Sequence, residues 1–149
     1  ERALLARSAA GFDARDLATA GLEPVATAAD VVAAQAEVRK LYVAESLQGY
    51  IYAIVARTRS ATDLSLGASP RAALALLGAA QVAAAIEGRD YATPDDVKSV
   101  AALVLAHRLI VRPEAEIEGV TAERVVERIL GAVDVPSDAP AAASLPASA

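Results

Sequence analysis

One stretch of the sequence, residues 45–60, carries the clearest pattern of a helix with one buried face. In ESLQGYIYAIVARTRS, side chains that favour burial recur at spacings of three and four residues. They are Leu47, Tyr50, Ile51, Ile54, Val55 and Thr58. Because most of a helix's stability comes from packing its apolar face, the chain must fold by covering this stripe with further elements.

Composition indicates what those further elements are. Hydrophobic residues make up 55% of the 149-residue chain, aromatic residues only 3%, and alanine is prominent. Alanine is the strongest helix former, and its small side chain lets helices pack closely. We therefore expect an all-α fold, a small bundle of about four to five helices. The β-branched stretch RLIVRP predicts a very short extended segment near residues 109–111.

The first helices are placed by capping residues and periodicity. A short helix is expected in ERALLARSAA, and Thr27 is a candidate cap for a helix through AADVVAAQAEVRKLYV. Its predicted apolar face comprises Val31, Gln35, Val38 and Tyr42. The segment SATDLSLGA, after the strongest helix, is predicted to be a polar loop.

Two helices then begin with a hydroxyl residue followed by proline. Ser69 and Pro70 occupy the N-cap and first-turn positions of PRAALALLGAAQVAAAIE, which is apolar on nearly all sides and is expected to be the central, most buried element. Gly88 is the predicted left-handed residue at its end. The next helix is expected to start at Thr93 and Pro94 and to bury Val97, Val100, Ala101, Val104 and Leu105. A last helix is predicted from Thr121 to Gly131.

Charge and residue content exclude several classes of function. The net charge is −5 and the pI about 4.9, which argues against nucleic-acid binding, since that requires clustered Lys and Arg. A DNA-binding helix in TPDDVKSVAALVLAHR would also place two acids where phosphates lie. With no cysteine and one histidine, a metal site is not expected. No long apolar run predicts membrane insertion, so a cytoplasmic location is expected. The absence of methionine suggests a piece of a longer protein.

Arg71 is the sharpest candidate for a functional residue. A helix N-terminus carries about half a positive charge, so a cation in the first turn is unfavourable unless it meets an anion. Together with the free amides of that turn, Arg71 would form an anion-binding site. The alternative is structural: a solvated arginine, or one paired with a carboxylate such as Asp63.

The other polar residues favour structural roles. His107 lies near a helix C-terminus, where the dipole stabilises it, and Arg57 and Arg59 end their own helix in the same way. The acids Asp90, Asp95 and Asp96 are better explained by capping than by metal binding. The hydroxyls of Ser8, Ser46 and Ser60 have no accompanying base in a recognisable catalytic motif. No phosphate-binding loop of the G-x-x-x-x-G-K-[ST] type occurs in the chain.

Several segments together resemble a known family. YIYAIVARTRS, LGASPRAALALLGAAQVAAAIEGRDYATPDDVKSVAALVLAHRLIVRP and EGVTAERVVERIL are similar to the C-terminal region of the MoxR family of AAA+ ATPases. The resemblance covers roughly residues 23–131 and identifies them as the helical lid domain. It makes residues 1–22 the end of the preceding nucleotide-binding domain with its connector. Residues 132–149, which are rich in Ala, Pro and Ser and have little to bury, are predicted from composition to be a disordered tail.

The resemblance also implies a function. Arg71 matches the second sensor arginine, which contacts the γ-phosphate of ATP in the same subunit or in a neighbour, while Ser69 and Pro70 shape the helix N-terminus. The implied partners are the large AAA+ domain, neighbouring ring subunits and proteins with a von Willebrand factor A domain. ATP and its Mg²⁺ would be held by the large domain, so this chain alone is expected to be inactive and to bind no cofactor. Lid movement is expected at residues 59–68 and near Gly21.

A second hypothesis comes from a different class. The chain is then a free-standing helical adaptor that binds a partner helix or strand through an apolar groove and has no enzymatic activity. An open reading frame that starts close to Glu1, with no phosphate-binding loop upstream, would favour it.

Overall fold

The structure, a computed structural model, describes residues 1–13, 15–16 and 22–137. The chain divides into two compact units, one of them Glu1–Gln35 and the other beginning at Ala36. The expected hinge at Gly21 and most of the predicted tail over residues 132–149 lie outside the described residues.

Helices dominate the part of the chain that the structure describes, so the all-α prediction is confirmed. The helices are α1 (Arg2–Ala9), α2 (Ala28–Val38), α3 (Glu45–Arg59), α4 (Pro70–Ile86), α5 (Pro94–Leu105), α6 (Pro113–Ile117) and α7 (Ala122–Ala132). A 3₁₀ turn over Ala106–Arg108 follows α5. Two short strands, β1 (Leu64–Leu66) and β2 (Ile110–Val111), complete the fold. None of the described helices has the length and apolar character needed to span a bilayer.

Four helices of the second unit, α3, α4, α5 and α7, supply most of the core. All six residues predicted for the buried stripe of α3 are buried. Val97, Ala101 and Leu105 of α5 are fully buried, and the flanking Val100 and Val104 are partly so. From α7 the core receives Val125, Val126 and Ile129.

α4 is less buried than its composition predicts. Its buried residues recur every four positions, at Ala72, Leu76, Ala80 and Ala84, and form one narrow face that packs mainly on α5. The opposite face is open, with Leu74 70% and Ile86 78% exposed. The expectation that α4 is the most buried element is therefore wrong, because α4 buries four residues and α3 buries six. Because alanine is both apolar and a strong helix former, composition alone does not distinguish a buried face from an exposed one.

α2 differs from its prediction in both length and burial. The helix ends at Val38, where bonds from Lys40 N to Glu37 O and from Leu41 N to Val38 O close its last turn. Tyr42, expected on its apolar face, instead forms a parallel bridge with Tyr91. α2 buries none of its residues, so its expected apolar face is not part of a core.

Of the predicted helix ends, those at Gly88 and Thr93 are confirmed and that at Gly131 is wrong. Gly88 has the predicted left-handed conformation, with a φ of 72°. Thr93 accepts a hydrogen bond from the amide of Asp96, and the Asp96 carboxylate accepts one from the amide of Thr93. Gly131 does not end α7: the helix reaches Ala132, and the amide of Val133 still bonds to Ile129 O.

The extended segment predicted near residues 109–111 is confirmed, and its partner strand lies where a polar loop was expected. β1 and β2 pair antiparallel, with Leu64 opposite Val111. Leu64 is buried, so the centre of the supposed loop SATDLSLGA contributes to the core. The segment leads directly to the start of α4.

Candidate functional site

Arg71 lies at the second position of α4, after Ser69 at the N-cap and Pro70 at the first helical position. Its side chain is exposed and forms no hydrogen bond or ion pair with any residue in the described ranges. The first turn of α4 contains no acidic residue. The charge conflict expected from the sequence is therefore present in the structure, with no carboxylate of the described chain to relieve it.

Ser69 occupies the predicted position but does not cap the helix with its side chain. Its backbone is extended, with φ −80° and ψ 166°, and only its carbonyl joins the helix, by accepting a hydrogen bond from the amide of Ala72 at 2.9 Å. Thr93 behaves differently, because its hydroxyl does accept a bond from the first turn of α5. The Ser69 hydroxyl thus leaves the first turn of α4 without a side-chain cap, and an uncapped helix start favours an anionic ligand.

Asp63, the carboxylate considered as a structural partner for Arg71, is engaged elsewhere. Its side chain pairs with Arg128 of α7, and its carbonyl accepts a hydrogen bond from the amide of Arg112 at 2.8 Å. The alternative of an Arg71–Asp63 pair is therefore wrong. Arg71 is left facing solvent in this structure.

The loop before α4 is fixed to the last turn of α3. The amide of Ala68 donates a hydrogen bond to the Thr58 hydroxyl at 2.8 Å, and the Ala68 carbonyl accepts one from Arg59 Nε at 2.9 Å. Next to it, Gly67 lies so close to α3 that a Cβ would be 2.7 Å from backbone atoms of Thr58 and Arg59. These contacts argue against the expectation that residues 59–68 are a place of lid movement.

Sequence reasoning misses this attachment, although one signal for it is present. Thr58 belongs to the predicted buried stripe of α3, and a buried hydroxyl nearly always has a hydrogen-bond partner. For Arg59 the sequence indicates only a favourable charge at the end of α3, where it does lie, in the last turn with Arg57. Its bond to Ala68 depends on tertiary structure that spacing does not reveal.

Both ring nitrogens of His107 lie at hydrogen-bond distance from groups of nearby residues. Its Nδ1 lies 3.1 Å from Leu103 O, and its Nε2 accepts a hydrogen bond from Arg108 Nε at 3.1 Å. Ser60 donates its hydroxyl proton to Arg57 O. No serine–histidine pair forms among the described residues, which is consistent with the structural interpretation of the histidine.

Asp95 and Asp96, near the start of α5, also have structural roles. Asp96 is buried and binds Arg89 and Thr93, whereas Asp95 is exposed and pairs with Lys98 at 3.1 Å. Burial raises the pKa of Asp96, but the hydrogen bonds from Arg89 and Thr93 outweigh that effect and hold the pKa below its usual value. Within residues 1–13, 15–16 and 22–137 no group of three or more His, Cys, Asp or Glu residues is placed to hold a metal ion.

Comparisons with known proteins identify the domain to which these residues belong. The family model described as AAA lid domain matches residues 56–129, from the last turn of α3 to α7. Over 115 residues the chain is 43% identical to the uncharacterized protein YeaC of Bacillus subtilis, an alignment that covers 77% of this chain and 36% of YeaC. It is 36% identical to the chaperone MoxR1 of Mycobacterium tuberculosis over 104 residues, or 64% of this chain and 28% of MoxR1.

A solved structure shares the fold. The crystal structure of a protein from Cytophaga hutchinsonii, described as a candidate ATPase, superposes with a TM-score of 0.70 at 37% sequence identity, over 72% of this chain and 36% of that one. The chain therefore spans about a third of the length of the proteins it matches. Residues 56–129 are an AAA lid domain, and the chain is homologous to the C-terminal region of the MoxR chaperones and ATPases.

Proposed function

We propose that the chain is the lid of a MoxR-type AAA+ ATPase in which Arg71 is the second sensor arginine and contacts the γ-phosphate of ATP. The observation that carries the proposal is the state of Arg71: it is exposed, unpaired within the described residues, and set at a helix N-terminus without an acid. An arginine in that position is costly unless an anion binds there. A triphosphate is the anion that an ATPase lid would meet.

The residues of this chain fit one part of such a site. A guanidinium can donate two parallel hydrogen bonds to phosphate oxygens, and these bonds strengthen as negative charge develops on the transferred group. Ser69 and Pro70 would shape the helix N-terminus beside it. The Mg²⁺ and the remaining phosphate contacts belong to the large AAA+ domain. Arg71 would serve the pocket of its own subunit or that of a neighbour in the ring.

The proposal extends to the whole protein. Binding and hydrolysis of ATP would move the lid relative to the large domain, and that movement would drive chaperone-like remodelling or assembly of protein partners in the cytoplasm. Candidate partners are the large domain, neighbouring ring subunits and proteins with a von Willebrand factor A domain. This chain by itself would not hydrolyse ATP. MoxR1, described as a chaperone, supports the remodelling role by similarity.

The test is ATP turnover by the full-length parent protein. Arg71→Ala should lower kcat by about 10³-fold if Arg71 stabilises charge on the transferred phosphate as an arginine finger does. Arg39→Ala is the matched control, because Arg39 is also exposed and lacks a partner among the described residues. Near-normal turnover by Arg71→Ala, with circular dichroism unchanged, would contradict the proposal.

One observation favours the adaptor hypothesis as a second candidate. The open face of α4 carries Leu74, Val82 and Ile86, all substantially exposed, and such a stripe is typical of a surface that binds another chain. The two hypotheses differ in what Arg71 does. An adaptor would keep its partner affinity in the Arg71→Ala variant and show no dependence on ATP.

A further inference from the structure

We propose that Thr58, Arg59 and Gly67 are positioning residues for Arg71, and that together with Ala68 they form a clamp that fixes the start of α4 to the end of α3. We call these four residues the Ala68 clamp. The inference rests on the proposed function of Arg71, since it assigns a role to residues that hold that arginine in place. The proposed function assigns no phosphate contact to these residues.

The first half of the clamp is a buried hydroxyl. Thr58 and Ala68 are each only 1% exposed. The Thr58 hydroxyl donates to Val55 O at 2.7 Å and accepts from the amide of Ala68 at 2.8 Å. The proton of the hydroxyl is therefore directed into α3 while its lone pair holds the loop. A buried amide without a hydrogen-bond acceptor destabilises the folded chain. The amide of Ala68 therefore needs the Thr58 hydroxyl as its acceptor.

The second half uses the next residue of α3. Arg59 Nε donates to the carbonyl of Ala68 at 2.9 Å. Consecutive side chains at the end of one helix thus bind both backbone groups of a single loop residue. Such a pair holds the peptide groups on both sides of Ala68, because the N–H belongs to the peptide before this residue and the C=O to the peptide after it.

Gly67 permits the close approach on which both bonds depend. A Cβ there would lie 2.7 Å from the Arg59 Cα, the Arg59 amide nitrogen and the Thr58 carbonyl carbon. All three are backbone atoms, so no side-chain rotation would relieve the contact. Only glycine lets the loop rest directly on the last turn of α3.

The connection from the clamp to Arg71 is short and stiff. Ser69 and Pro70 are the only residues between Ala68 and Arg71, and the proline ring fixes one of the backbone torsions. Ala72, immediately after Arg71, is fully buried in the core. Arg71 is therefore held on both sides in the sequence, and a shift of Ala68 would move its Cα. Small errors in the position of a group that stabilises a transition state are costly, with about 10²-fold lost for 1 Å.

The test measures ATP hydrolysis by the full-length parent protein. Thr58→Val keeps the side-chain shape and removes the hydroxyl, Thr58→Ser keeps the hydroxyl, and Arg59→Met removes the donor to Ala68. Arg57→Met is the control, because Arg57 lies in the same last turn and its side chain forms no hydrogen bond or ion pair with described residues. Each variant is made with Arg71 present and again in the Arg71→Ala background.

We expect Thr58→Val and Arg59→Met to lower kcat by roughly 10- to 10²-fold with little change in KM for ATP. Thr58→Ser should largely restore turnover, and Arg57→Met should not change it. In the Arg71→Ala background the same clamp variants should cause no further loss, because residues that act through one group are not additive. A residue that only stabilises the fold would not show this pattern.

Each contrary outcome has a definite meaning. If Arg71→Ala lowers kcat but Thr58→Val and Arg59→Met do not, the clamp is refuted and the role of Arg71 stands. Full additivity with Arg71→Ala also refutes the clamp. Normal turnover by Arg71→Ala refutes the proposed function itself. Should Thr58→Val fail to fold by circular dichroism, Arg59→Met decides, since its side chain lies at the surface.

Discussion

Arg89 and Asp96 form a two-bond ion pair that joins the end of α4 to the start of α5. The bonds run from Nη1 to Oδ2 at 2.8 Å and from Nη2 to Oδ1 at 2.5 Å. The same carboxylate accepts hydrogen bonds from the amide and the hydroxyl of Thr93. One buried side chain therefore caps α5 and also fixes the turn after Gly88 that sets the angle between the two helices.

The first prediction concerns the loss of that carboxylate. Asp96→Asn leaves Arg89 without its charged partner and removes the charged half of the capping box, so the chain should lose about 3 kcal/mol of unfolding free energy. Asp95→Asn is the matched control, because Asp95 is 89% exposed and its pair with Lys98 is a surface contact worth less than about 1 kcal/mol. Urea denaturation followed by circular dichroism measures both. Equal losses in the two variants would contradict the assignment.

The second prediction is a pH dependence with a definite sign. The pKa of Asp96 is lowered in the folded chain: burial raises it, but the bonds from Arg89 and Thr93 outweigh burial. A lowered folded pKa contributes stability that is complete above the unfolded value and is lost as pH falls through the folded one. The stability difference between the parental chain and Asp96→Asn should therefore be constant near neutrality and shrink below about pH 4. Urea titrations at several acidic pH values would show it, and a difference that grows on acidification would overturn it.

Local chemistry explains which parts of the fold were predictable. The stripe of α3 follows directly from apolar spacing, and the start of α5 follows from Thr93, Pro94 and the acids after them. Both depend on residues within one or two helical turns. Gly88 belongs to the same class, because a left-handed residue after a helix is a local backbone requirement.

The sequence predictions are wrong where residues that are distant in the sequence determine the local structure. Tyr42 lies outside α2. Its amide donates a hydrogen bond to Asp90 O, and its carbonyl accepts one from the amide of Ala92. No local sequence pattern reveals these two partners. The sequence around Leu64 predicts a polar loop, whereas in the structure Leu64 lies in β1 and pairs with β2. Arg71 is a candidate from its helix position and the family resemblance. The contacts of Thr58 and Arg59 with Ala68, in contrast, span nine or ten residues of sequence and a change of direction.

The third prediction compares the two hydroxyl residues that precede proline. The Thr93 hydroxyl accepts a hydrogen bond from the first turn of α5, but the Ser69 hydroxyl accepts none from α4. Thr93→Ala should therefore lower the unfolding free energy by about 1 kcal/mol, the usual value of an N-cap side chain. Ser69→Ala should change it by less than about 0.5 kcal/mol, as for a surface substitution that removes no cap. Thermal or urea unfolding of both variants is the measurement, and a larger loss in Ser69→Ala would mean that its hydroxyl does cap α4 in solution.

The fourth prediction uses two glycines with opposite surroundings. Gly67 lies against the backbone of α3, so Gly67→Ala forces the loop away from Thr58 and Arg59 and should cost about 1–3 kcal/mol of unfolding free energy. Gly78 lies within α4, and a methyl group added there would meet no atom of a neighbouring element within 4 Å, so Gly78→Ala should raise the unfolding free energy by about 0.5–1 kcal/mol through helix propensity. Both changes add one methyl group, and urea unfolding reports their difference. A gain in stability for Gly67→Ala would contradict the close contact between the loop and α3.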